Sequence, residues 1–170
     1  MQMPSSIQTS AKTTDRFEVP WDLRRWVKQS ELLEWVCEEV SSLDWENPEL
    51  IEFLRANPAY QPRFLLVLTA YAYGLGVCES GEVVAFYYAN AELKSKFPSQ
   101  NLTAPAVSRF RREHRGLLKW ALVQCFKRAL RQHFGLGHAP IPPGLRRVLD
   151  DAATNRLDIA RHVDRSAHTE

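Results

Sequence analysis

The run Phe64-Leu-Leu-Val-Leu-Thr-Ala-Tyr-Ala-Tyr73 constrains the fold of this 170-residue chain more than any other segment. It is apolar on every side of a helix, and it sits between Pro62 and the glycines Gly74 and Gly76. Proline suits the first turn of a helix, where its missing N–H has no helical partner, and glycine supplies the left-handed backbone that ends one. A helix with no polar face has nothing to offer water, so it is predicted to lie at the centre with other helices around it. The run is about half the ~20 residues that cross a bilayer, which argues against a membrane protein. With 45% hydrophobic and 25% charged residues, the composition is that of a globular domain able to bury such a helix.

The rest of the chain supplies the surrounding helices, and the expected fold class is all-α: a compact multi-helix bundle with a central buried helix and a variant helix-turn-helix. Residues 1–16, rich in Ser, Thr and Gln, have no apolar core and read as a mobile tail, not a signal peptide. Ser30 is placed to cap a helix whose Leu32, Leu33, Trp35, Val36, Val40 and Leu43 form one stripe. Asn47-Pro48 opens a second helix and Asn57-Pro58 closes it. After Gly81, residues 82–90 read as a short helix. A hairpin across Ser80-Gly81 is the alternative, set aside because no other strand is there to pair with it. Residues 91–96 add a turn or two. Thr103, with Pro105 following, caps a helix that runs to about His133, and Gly116 is the expected place for a kink or break. The main helical domain therefore spans 17–134 and a Gly- and Pro-rich loop 135–144. A C-terminal amphipathic helix fills 145–170, with Arg146, Arg147, Arg156, Arg161 and Arg165 on its more exposed positions.

A net charge of +2 conceals a polarity along the chain: residues 1–60 carry −5, residues 61–103 carry zero and residues 104–170 carry +7. The last third is suited to an anionic partner, nucleic acid ahead of a membrane surface. Its densest cations lie in SRFRREHR, Ser108 to Arg115. At roughly 100° per residue, Arg109, Arg112, Arg115 and Lys119 share one side of a helix, and Val107, Phe110, His114, Leu118 and Ala121 share the other. Such a helix can rest on a helical body while offering guanidinium groups to phosphate, with Ser108 and Arg111 beside the basic face as candidates for base or sugar contacts. The competing reading is a solvated charged face.

Other chemistry is sparse. Cys37, Cys78 and Cys125 are odd in number, widely spaced and set among apolar residues, as reduced thiols of a cytoplasmic protein are. No Cys/His grouping has metal-ligand spacing, no Gly-rich loop follows a strand, and no carboxylates are gathered for acid–base work. No metal, cofactor or catalytic residue is expected. Tyr71, Tyr73, Phe86, Tyr87 and Tyr88 are able to stack on bases, but at these spacings they belong to a core. Trp21, Trp26, Trp35 and Trp45, in the acidic first quarter, support a second functional class, a protein–protein module.

Taken in order, Leu43-Asp44, AYQPRFLLVLTAYAYGLGV (Ala59 to Val77) and VSRFRREH (Val107 to His114) resemble the all-helical amino-terminal domain of bacterial insertion-sequence transposases with a DDE catalytic domain. The resemblance covers roughly residues 43–120. It departs at Ser80-Gly81-Glu82-Val83, where the family has a Ser-Arg-x-Ile-like helix start, and at Leu102, Thr103 and Ala104, where the family often has an Asp. The resemblance implies binding of double-stranded DNA, the terminal inverted repeats of a mobile element in particular, through the 104–120 segment. For the alternative class it implies self-association or pairing with a full-length transposase. In the family a ribonuclease-H-type domain holding two divalent cations follows the matched region. Here the residues after Lys119 read as helix and loop. Their Asp150, Asp151, Asp158 and Asp164 are expected to pair within the helix, Asp158 with Arg161 or Arg165. No transposase catalysis is therefore expected, and the chain reads as the recognition half alone, truncated or recruited to regulation.

Overall fold

A computed structural model describes residues 17–44, 46–48, 50 and 62–167, and every regular element among them is helical. A 3-10 turn at Leu23–Arg25 precedes α1 (Gln29–Ser41), α2 (Pro62–Gly74), α3 (Ser80–Ala89), α4 (Ala91–Lys96), α5 (Ala104–Glu113), α6 (Arg115–His133) and α7 (Pro143–Ala167). The tail 1–16, Trp45, most of the helix expected between Asn47 and Asn57, and residues 59–61 of the family-like motif lie outside the described residues. No helix among the described residues is long and apolar enough to cross a membrane.

The all-apolar helix takes the central position that its composition requires. Phe64 to Tyr73 are all buried, and α1, α3, α5 and α6 pack around α2. The buried Thr69 hydroxyl donates to the Leu65 carbonyl at 2.6 Å, which satisfies it within the helix. The helix ends in a Schellman motif: Gly76 N–H donates to the Tyr73 carbonyl at 3.1 Å and Val77 N–H to that of Ala72 at 2.9 Å. Gly76 holds φ +82°, and a Cβ there would lie 2.5 Å from the indole nitrogen of Trp21, so both backbone and space call for glycine.

Local signals set most other boundaries. Glu79 starts α3 by accepting from the N–H groups of Gly81 and Glu82, both at 2.9 Å, and the chain is helical where a hairpin was the alternative. Asn90 caps α4 through Leu93 N–H, and Thr103 caps α5 through Ala106 N–H. Ser30 is a correction. The backbone turns helical directly after an extended Lys28, so Ser30 already lies within the first turn of α1 and caps nothing.

Helix α7 shares the core of the other helices, burying Leu149, Ala153, Leu157 and Ala160. It also buries Arg156, which sequence spacing had placed among the exposed arginines. Only 2% of Arg156 is exposed. Its guanidinium donates to the carbonyls of Pro20 and Trp21 at 2.6 Å and to that of Tyr73. It lies 4.8 Å from the Trp21 ring centre and 5.0 Å from that of Phe126. Burial pulls its pKa down to about 10, still far above neutrality, so it remains a cation held by backbone dipoles and aromatic faces. Arg156 thereby joins the amino-terminal segment, the end of α2 and α7.

The other described tryptophans of the first quarter are engaged in similar sutures. Trp26 stacks on His133 with ring centres 4.9 Å apart, and Arg128 lies 5.9 Å from the Trp35 ring. Part of the charge polarity is also satisfied within the chain, because Arg128 pairs with Glu38 at 2.7 Å and with Glu39 at 3.2 Å.

Candidate nucleic-acid interface

Helix α5 has the division of labour that its sequence implies, with Val107 and Phe110 buried and Arg109 and Arg112 exposed. The helix does not continue to His133 unbroken. His114 adopts φ −125°, ψ 36°, ending α5, and α6 begins at Arg115. The break falls two residues before Gly116, which lies in the first turn of α6. Its consequence is that the four cations placed on one face belong to two helices.

Their partners differ accordingly. Arg109 pairs along α5 with Glu113 at 2.8 Å. Arg115 and Lys119, on α6, reach across to α7 and pair with Asp158 at 2.8 Å and Asp150 at 3.1 Å. Asp158 was expected to pair with Arg161 or Arg165 on its own helix, and the packing of α6 against α7 supplies Arg115 instead. These are exposed pairs of the kind worth about 0–1 kcal/mol, so a phosphate could displace them, but their carboxylates would remain close to it.

Arg111 is the main correction. It was placed beside the basic face as a base- or sugar-contacting residue, yet it is 3% exposed. One step from Phe110 and four from Val107, it lies on the arc that α5 turns toward α3 and α7. Its guanidinium donates to Asp164 at 2.7 Å and to the Ser108 hydroxyl at 3.3 Å. Asp164 is itself buried, and it accepts from the N–H and hydroxyl of Ser80 at 2.8 and 2.7 Å, which ties the start of α3 to α7. Arg111 thus works inside the fold.

Above this pair the two helices enclose a cleft of about 250 Å³. Helix α5 lines it with Pro105, Ser108, Arg111 and Arg112, and α7 lines it with Arg161, Asp164 and Arg165. Arg112, Arg161 and Arg165 are exposed. Among the described residues four arginines face one carboxylate here, and that carboxylate is neutralised by Arg111. Sequence reasoning found Ser108 and Arg112 but not Arg161 and Arg165 as their companions, because nothing local in α7 says which helix it crosses.

His114, expected to be packed, is half-buried beside Phe110 with ring centres 5.4 Å apart. Burial lowers its pKa from the ordinary histidine value. No family model, curated protein or solved structure matches this chain.

Proposed function

We propose that this domain binds double-stranded DNA through phosphate contacts, using the edge where α5 meets α7. The observation that carries the reading is the gathering of Arg112, Arg161 and Arg165 around one cleft whose only lining carboxylate among the described residues is already paired. Arg109 lies next to it on α5, and its exposed pair with Glu113 is cheap to exchange for a phosphate. Arg115 and Lys119 stand second, since Asp158 and Asp150 would repel the same anion. The excess of basic residues after residue 103 supports the same choice of partner. On this reading the chain serves as a recognition module of the transposase type, positioned by backbone contacts.

Fluorescence anisotropy with a labelled duplex at several salt concentrations tests it. Four arginine–phosphate contacts give a log–log slope of about −3.6. Absence of duplex binding, or a slope near zero, would reject the reading in favour of a protein–protein module.

A further inference from the structure

Building on the DNA reading, we propose that the α5–α7 cleft is a preformed seat for a single phosphate group. Its floor is fixed. The Arg111 guanidinium is held by Asp164 and Ser108, and Asp164 is held in turn by two bonds from Ser80, so three helices set the geometry before any ligand arrives. The Ser108 hydroxyl accepts from Arg111 and keeps its own proton to donate. Around the rim stand Arg112, Arg161 and Arg165, whose planar forks match the oxygens of a tetrahedral oxyanion. The cleft, at about 250 Å³, is smaller than the roughly 300–1,000 Å³ of pockets that enclose drug-sized ligands. It has room for a phosphate head within reach of these groups. An internal phosphodiester, a terminal phosphate of DNA and free orthophosphate share this chemistry.

The test is calorimetric titration of the full chain with sodium phosphate at constant ionic strength, comparing wild type with Arg112→Ala, Arg161→Ala and, outside the cleft, Lys94→Ala. All three replace exposed side chains, and far-UV circular dichroism checks that helicity is kept. Saturable binding by wild type and K94A, weakened about tenfold or more by R112A and by R161A, supports the seat. No saturable binding, or equal binding by all four proteins, overturns it. Duplexes with and without a 5′ phosphate then separate the sources: preference for the phosphorylated end assigns a terminal phosphate, and equal affinity assigns the internal backbone. Orthophosphate binding without duplex binding keeps the seat and rejects the DNA reading. Duplex binding indifferent to R112A and R161A does the reverse.

Discussion

Replacing Arg111 by Met removes the charge that neutralises Asp164 while nearly preserving side-chain length. The two side chains are 4% and 5% exposed and meet at 2.7 Å, so the substitution leaves a buried carboxylate that, among the described residues, keeps only the two Ser80 bonds. Removing one partner of a buried pair costs about 3–5 kcal/mol, because the remaining charge keeps its desolvation penalty and loses its compensation. That is a large part of the ~5–15 kcal/mol by which a domain is stable. The double variant Arg111→Met with Asp164→Asn removes both charges, and the asparagine oxygen can still accept from Ser80. It is expected to be more stable than R111M alone, with a coupling energy of at least about 2 kcal/mol across the cycle. Urea unfolding followed by circular dichroism measures all four proteins. If R111M stays within ~0.5 kcal/mol of wild type, the range of an ordinary surface substitution, Arg111 is not the buried strut described above. Strict additivity of the two single changes would refute the pairing equally.

Three further expectations follow from the packing. Arg156→Ala removes the shared donor of the Pro20, Trp21 and Tyr73 carbonyls and is expected to cost about 3–5 kcal/mol in thermal unfolding. Lys at this position recovers only part, since an ammonium cannot lie flat against Trp21 and Phe126 while reaching three carbonyls; full recovery would contradict the geometry. Gly76→Ala forces a side chain into a left-handed backbone against Trp21, and a loss of about 1–3 kcal/mol in the same assay is expected. Burial holds His114 neutral in the folded state, so the unfolded chain binds its proton more readily and stability falls as pH drops through and below the ordinary histidine value of about 6.5. His114→Gln is expected to flatten stability measured against pH across that window, and superimposable profiles for the two proteins would count against it.

The central helix was legible because a segment with no polar face admits only one location, and the cap at Thr103 because the side-chain bond is local. Arg111 and Arg156 were not, because each lies at the margin of an apolar stripe, where neighbouring helices decide between water and interior. A signal did exist for one of them. Leu149, Ala153, Leu157 and Ala160 step through α7 by three and four residues, and the next step lands on Asp164. An acid on a buried stripe requires a cation from another element, and Arg111 is that cation. The partners of Arg115 and Lys119 depended on how α6 crosses α7, which no single helix encodes. The contact of α5 with α7 gathers Arg161 and Arg165 beside Arg112, so the proposed interface is a product of packing.

Salt-dependent duplex affinity of two charge variants tests that proposal most directly. Removing the cleft cations together, with Arg112, Arg161 and Arg165 all changed to Ala, is expected to weaken binding and flatten the log–log salt slope by about 2.7. Removing Arg115 and Lys119 is expected to change that slope by less than about 0.9, the value of one phosphate contact. A triple variant that binds duplex DNA as wild type does, or a larger effect from the α6 pair, would contradict the assignment of this edge as the nucleic-acid surface.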